Sequence, residues 1–85
     1  MRDTVNKIIS NFNKYYRGKF KINKIFKKND MIIISIDTEG KLVDGYFLYE
    51  TPRLIRAITP TLNPDKFFDI VSEENLIYST EETNE

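Results

Sequence analysis

The cations of residues 17–28 alternate with aromatic residues, and this pattern could support the chemistry of nucleic-acid binding. Lysine and arginine neutralise phosphates, and exposed rings are platforms on which single-stranded bases stack. The alternative is that Tyr15, Phe20 and Phe26 lie in the core and the lysines are solvated. We favour this alternative because the chain as a whole has no net charge. The cations that would carry nucleic-acid binding are Arg17, Lys19, Lys21, Lys24, Lys27 and Lys28.

A second candidate surface combines aromatic residues with carboxylates and could bind a protein. Residues 46–49 are predicted to form a strand, and neighbouring strand residues point to opposite faces, so these side chains cannot all enter one core. Tyrosine and arginine are frequent anchors of protein interfaces, although residues 54–71 could instead cover this face. The carboxylates could also compete for the nucleic-acid groove of a partner. The residues predicted to bind a protein are Tyr46, Tyr49, Arg53, Asp65, Asp69, Glu73 and Glu74.

Few residues in the chain are suited to catalysis or metal binding. It has no cysteine and no histidine, which removes the usual nucleophile, the usual general base and the usual zinc ligands. Asp30, Glu39 and Lys41 could hold Mg²⁺ and activate water, but the glycine between the last two favours a hairpin turn. Asp65 and Asp69 are one helical turn apart, yet Asp65 is equally the first-turn acid that a helix dipole favours. We therefore predict a non-enzyme without a cofactor or a metal ion.

The charges are segregated along the chain even though they sum to zero. Residues 1–28 hold nine Lys and Arg against one Asp, or +8, and residues 29–85 hold four against twelve Asp and Glu, or −8. Such asymmetry either steers a charged partner or is neutralised within the fold, and we favour the second interpretation. Twelve Ile, nine Lys and eight Asn beside a single Ala indicate AT-rich codons, as in a low-GC microbe or its virus.

Length and the missing residue types limit the class of protein. A chain of 85 residues forms one domain at most, and the lack of cysteine predicts a reducing, cytoplasmic compartment. No stretch approaches the ~18 apolar residues that indicate a membrane span. Residues 1–16 have the pattern of an amphipathic helix rather than of a signal peptide. We therefore expect no membrane partner.

A helix over residues 4–17 is the element with the strongest pattern. Val5, Ile8 and Phe12 recur at helical spacing, and Gly18 can take the left-handed conformation that ends a helix. Three strands in a meander follow. Their predicted bounds are residues 20–26, 31–37 and 42–49, with turns at 27–30 and 38–40.

The middle strand is apolar on both faces and should therefore lie at the centre of the sheet. Ile32, Ile34 and Ile36 are predicted to enter the core, with Ile33 partly covered. The first strand changes phase before Ile25. Either a bulge near residues 23 and 24 restores the phase, or Lys24 protects an exposed sheet edge.

The second half of the chain has weaker patterns. Its predicted elements are a helix at residues 64–71 and a short strand at 76–78. Residues 54–58 are too few for periodicity to separate a strand from a helical turn, and we favour a strand. Phe67, Phe68 and Val71 are predicted to face inward from the helix. Residues 79–85 contain no apolar side chain, so we predict a disordered acidic tail.

Together these patterns predict an α+β domain over residues 1–78. An N-terminal amphipathic helix packs on a small antiparallel sheet, a three-stranded meander plus one or two short strands, with a short second helix. We predict a small non-catalytic protein-binding module, such as an inhibitor or accessory protein of a phage or mobile element. A nucleic-acid-binding domain that uses residues 17–28 is the alternative, and the chain could also form a homo-oligomer.

Overall fold

The computed structural model describes residues 2–38, 45–59 and 64–80. The elements in chain order are helix α1 (Arg2–Tyr15), strands β1 (Ile22–Lys28), β2 (Met31–Ile36), β3 (Tyr46–Thr51) and β4 (Leu54–Ile58), helix α2 (Pro64–Ile70), a 3₁₀ turn (Glu73–Asn75) and strand β5 (Leu76–Ser79). These elements confirm the predicted α+β fold, including a strand rather than a helical turn at residues 54–58.

The strands form one antiparallel sheet in the order β4-β3-β2-β1-β5. β2 is central, as its apolar residues on both faces predicted. The register between β1 and β2 shifts after the Ile22–Ile36 pair, so that Lys24 pairs with Ser35. This bulge lets both Ile22 and Ile25 face one core. The alternative of an edge position for Lys24 is wrong, because β5 pairs with the other side of β1.

The β1–β2 connection is tighter than predicted. β1 continues to Lys28, which pairs with Met31, so only Asn29 and Asp30 form the turn. Asn29 has a φ of 55°, in the left-handed region that tight hairpins use and that asparagine tolerates better than most residues.

Helix α1 packs its apolar stripe on one side of the sheet, which we call the α1 face. Val5, Ile8 and Phe12 are buried there against β1 to β4. Phe12 is fully buried, and its ring centroid lies 5.2 Å from that of Phe47 in an edge-on contact. Tyr16 joins the same aromatic cluster and donates a hydrogen bond from its hydroxyl to the carbonyl of Ile55, at 3.0 Å.

The end of α1 is closed by backbone hydrogen bonds that Gly18 makes possible. The Gly18 N–H donates to the carbonyl of Asn13 at 2.8 Å, and the Arg17 N–H donates to that of Lys14 at 3.3 Å. Both Arg17 and Gly18 have a positive φ, of 56° and 69°. This is the arrangement of a Schellman cap with Arg17 at C′. Gly18 is left-handed as predicted, but α1 ends at Tyr15, earlier than the predicted residue 17.

Helix α2 packs on the opposite side of the sheet, which we call the α2 face. Phe26 and Ile33 of the sheet are buried there against Phe67 and Ile70. Ile33 is therefore fully covered rather than partly covered, because it belongs to a second core.

The predicted inward side of α2 is partly wrong. Phe67 is buried as expected, and Val71, just beyond the end of the helix, is half-buried against the same cluster. Ile70 is the second buried residue of the helix, whereas Phe68 is 62% exposed. Residues three apart share a helix face and adjacent residues do not, so Phe67 and Ile70 can face the sheet together while Phe68 points away.

The start of the predicted tail belongs to the fold. Ser79 ends β5, and the Thr80 N–H donates to the carbonyl of Asn23 at 3.0 Å. Three predictions fall on residues outside the described ranges: the Glu39–Lys41 segment with its turn glycine, the first residues of the third strand at 42–44, and the rest of the tail at 81–85.

Candidate functional site

The α2 face of the sheet is only partly covered, and the uncovered part forms a groove. A helix of seven residues is about 10 Å long and about 10 Å wide, whereas five strands at about 4.8 Å spacing span about twice that width. α2 therefore leaves a groove of about 370 Å³ beside it, which we call the α2 groove. Its lining residues are Met31, Ile33, Leu48, Arg56, Ala57, Ile58, Thr59, Lys66, Phe67 and Ile70.

The floor and walls of the α2 groove are mainly apolar. Ile33 and Ile70 are buried beneath it, and Leu48 and Ile58 are half-buried. Leu48 pairs with Arg56 in the β3–β4 ladder, so the side chains of both residues lie on this face. Met31, at the turn end of β2, is 41% exposed. The groove is thus a concave apolar surface, which is the usual shape and composition of a binding site.

Two cations, Arg56 and Lys66, border this apolar surface. The Arg56 Nε lies 3.1 Å from the Glu50 Oε2 in a solvent-exposed ion pair. Lys66 makes no hydrogen bond or ion pair with any residue in the described part of the chain. No carboxylate is among the described residues that line the α2 groove. The charged residues among those that line the groove in the described part of the chain are therefore both cations, although α2 itself carries two acids.

The large apolar side chain with the highest exposed fraction, among the residues that the structure describes, lies next to the groove. Phe68 is 62% exposed, and its ring centroid lies 5.2 Å from that of Phe67, which lines the groove. Leu54, which is 47% exposed, lies two residues before Arg56 on the same strand and so on the same face. The apolar surface of the groove thus continues onto the helix and along β4.

The two tyrosines of the predicted protein-binding surface lie on opposite faces of the sheet. Tyr46 is half-buried on the α2 face, where its ring centroid is 4.8 Å from that of Phe67. Tyr49 is buried on the α1 face, and its hydroxyl accepts a hydrogen bond from the Asn11 side chain at 3.0 Å. The alternation expected for this strand is confirmed, and it makes Tyr49 a core residue rather than an exposed one.

The predicted carboxylates are exposed, as is Arg53, and they lie on different elements from it. Asp65 and Asp69 lie on α2, and Glu73 and Glu74 lie on the 3₁₀ turn that follows it. Asp69 is paired with Lys28 of β1, with 2.6 Å between Nζ and Oδ2. Arg53 lies in the β3–β4 turn, at the sheet edge formed by β4, where its N–H donates to the Thr51 hydroxyl.

Most of the aromatic residues within or next to the basic segment, residues 17–28, pack in the two cores. Phe26 is buried on the α2 face, and Phe20 packs in the aromatic cluster of the α1 face, whereas Tyr15 is 42% exposed and not a core residue. Burial raises the pKa of the Tyr16 hydroxyl above its usual 10.0, and neighbouring Tyr15 adds to the rise. Few rings are therefore left as stacking platforms.

The cations of this segment have different environments. Lys28 is paired with Asp69, and the Lys27 Nζ donates to the Asn29 carbonyl at 2.8 Å. Lys24 is half-buried between two strands. The remaining three are exposed in the connection from α1 to β1, and the Lys19 Nζ lies 5.9 Å from the centroid of the Phe20 ring. These three are Arg17, Lys19 and Lys21.

The described residues show neither a metal-binding cluster nor a membrane-spanning helix. No group of three or more histidine, cysteine, aspartate and glutamate side chains is placed to hold a metal ion there. Neither α1 nor α2 is long and apolar enough to cross a membrane.

The α2 groove itself was not predicted from the sequence. The alternation of β3 indicated that its side chains could not all enter one core, and it left open whether residues 54–71 would cover the second face. α2 covers part of that face. The extent of the covering could not be derived, because it depends on where α2 ends and on which strands it crosses. Lys66 and Ile58 were therefore not predicted as site residues, although both line the α2 groove.

No protein-family model, curated protein or solved structure matches this chain.

Proposed function

We propose that this chain is a small, non-catalytic protein-binding module and that the α2 groove is its binding surface. The observation that supports this function is the apolar groove that α2 leaves on the sheet, continued outward by the exposed ring of Phe68. The cores of protein interfaces are enriched in aromatic residues and methionine, and the groove is lined by Phe67 and Met31, with Phe68 beside it.

The exposure of Phe68 is difficult to explain by folding alone. Its ring contacts Phe67 at one edge but is mostly in water, so it adds little to the second core. A solvated phenylalanine gains from contact with a partner, because that contact removes apolar surface from water at about 25 cal/mol per Å². A partner that covers Phe68 and fills the adjoining groove would bury one continuous apolar patch.

The proposal is tested by site-specific photo-crosslinking in cells of the native host. Phe68→p-benzoylphenylalanine puts a reactive aromatic group at the rim of the groove. Tyr15→p-benzoylphenylalanine is the matched control, since Tyr15 is an exposed aromatic residue on the other side of the sheet. We expect a discrete adduct with one protein at position 68 and none at position 15. Identical adducts at both positions, or no adduct at position 68, would contradict the proposal.

A nucleic-acid-binding function draws on fewer groups than the sequence indicated. Arg17, Lys19 and Lys21 remain exposed around the α1–β1 connection, whereas Lys28 is paired with Asp69. We expect weak or no binding of labelled oligonucleotides in fluorescence anisotropy at physiological salt, because the acidic groups repel phosphates. Tight binding that Lys19→Glu and Lys21→Glu abolish would favour nucleic acid over protein as the partner. That the chain itself is an inhibitor or accessory protein of a phage or mobile element stays a prediction.

A further inference from the structure

The charges of the α2 groove indicate the chemistry of its partner, given the proposed function. We propose that the groove binds a protein segment in which a large apolar side chain is flanked by a carboxylate. The apolar side chain would lie between Leu48, Ile58 and Phe67, and the carboxylate would meet Lys66 and Arg56 at the rim.

The sign of the charge at the rim differs from the sign on the rest of α2. Helix α2 contains two acids and one lysine, and Lys66 is the charged residue of the helix that lines the groove. Asp69 is turned to Lys28 of β1, which neutralises it. The groove therefore presents the one cation of a helix whose formal charge is negative, beside Arg56 of β4.

Both cations can accept a carboxylate. Lys66 has no partner among the described side chains, so its ammonium loses no existing ion pair on binding. The pair of Arg56 with Glu50 involves Nε, which leaves the terminal N–H groups of the guanidinium available to a second acceptor. A carboxylate placed between them would form charge-assisted hydrogen bonds at the edge of an apolar surface, where water screens them less.

The shape of the surface favours a protein segment over a small molecule. The groove volume of about 370 Å³ is near the lower end of the 300–1,000 Å³ typical of ligand sites, and it is open along one side. The apolar surface continues beyond it to Phe68 on the helix and Leu54 on β4. A segment with several residues can cover these outer side chains, whereas a small molecule in the groove cannot.

The test uses a library of random-sequence peptides selected for binding to the wild-type chain. We expect the selected peptides to combine Phe, Leu or Trp with a neighbouring Asp or Glu. Lys66→Glu should weaken their binding about fivefold or more, because attraction at the rim becomes repulsion. Lys7→Glu, the same charge change on the exposed side of α1, is the matched control and should leave the Kd unchanged.

The reciprocal exchange makes the test specific to the charge. Replacing the acid of a selected peptide with lysine should weaken binding to the wild-type chain and restore it to Lys66→Glu. Selected peptides without a preference for Asp or Glu, or equal binding to the wild-type and Lys66→Glu chains, would overturn the proposed partner chemistry. Position 68 could still cross-link to a protein in that case. The absence of any groove-binding peptide would overturn the proposed partner chemistry too, as would a small aromatic carboxylate such as phenylpropionate that binds there as tightly as the peptides.

Discussion

The two faces of the sheet are covered by helices of very different length. α1 has 14 residues, about 21 Å, so it can cross the strands and bury a continuous core against β1 to β4. α2 has seven residues and buries only a small second cluster. In so small a domain the length of a helix decides whether a sheet face becomes core or stays available for binding. The buried residues of the α1 face stabilise the fold. Those of the α2 face partly stabilise the fold and partly form the proposed interface.

The largest effect that tests this difference is expected on the α1 face. Phe12→Ala removes a fully buried ring that contacts Tyr16, Phe20 and Phe47, and it should lower the free energy of unfolding by roughly 3 to 5 kcal/mol. Small domains are often stable by only about 5–15 kcal/mol, so the variant could unfold. Thermal melts followed by circular dichroism would measure the change. An unchanged Tm would show that α1 does not depend on this packing.

A smaller effect is expected from the matching change on the α2 face. Phe67→Ala should cost about 2 to 3 kcal/mol, below the cost of Phe12→Ala, because Phe67 lines an open groove and its neighbours can close part of the cavity. Phe68→Ala, one residue later, is the control and should change stability by less than about 0.5 kcal/mol. Denaturant unfolding of both variants provides the comparison. Equal costs at the two positions would mean that Phe68 is packed rather than exposed.

Burial of the Tyr16 hydroxyl, which donates a hydrogen bond to Ile55, makes part of the stability of the α1 face depend on pH. The pKa of the folded-state hydroxyl is raised, so its neutral form is favoured by folding. The contribution is complete below the unfolded pKa of about 10 and is lost as the pH rises through the higher folded value. We expect the stability difference between wild type and Tyr16→Phe to shrink above pH ~10. A difference that stayed constant across this range would exclude the proposed linkage.

The smallest effect is expected from the ion pair that joins α2 to β1. Lys28 and Asp69 are both partly exposed, and such pairs contribute about 0.2–1 kcal/mol. A double-mutant cycle with Lys28→Met and Asp69→Asn should give a coupling energy in that range, and added salt should reduce it. No coupling would indicate that the pairing of opposed charges does not help to hold α2 on the sheet.

The parts of the fold that were predicted correctly are those determined by local pattern. The helical spacing of Val5, Ile8 and Phe12 gave α1, and the run of apolar residues in β2 gave the centre of the sheet. The phase change before Ile25 had two explanations, and one of them, the bulge, is correct. Each of these signals lies within one element and needs no knowledge of its neighbours.

The parts that were missed depend on contacts between elements. The orientation of α2 could not be read from Phe67 and Phe68, because a helix of seven residues has too few turns to define an apolar stripe. Tyr49 was predicted on a surface because the sequence does not show which face of β3 α1 covers. The pairing of Lys28 with Asp69 joins residues 41 positions apart, which no local pattern predicts.

The most direct test of the central claim is to map where the partner touches the chain. Amide chemical shifts of the isotope-labelled protein would be recorded with and without the partner captured at position 68. We expect the perturbed amides to cluster at Lys66, Phe68 and the β4 residues Arg56 and Ile58. The amide shifts on the exposed side of α1 should not change. Perturbations confined to α1 or to residues 17–21, with none at α2 or β4, would contradict this expectation.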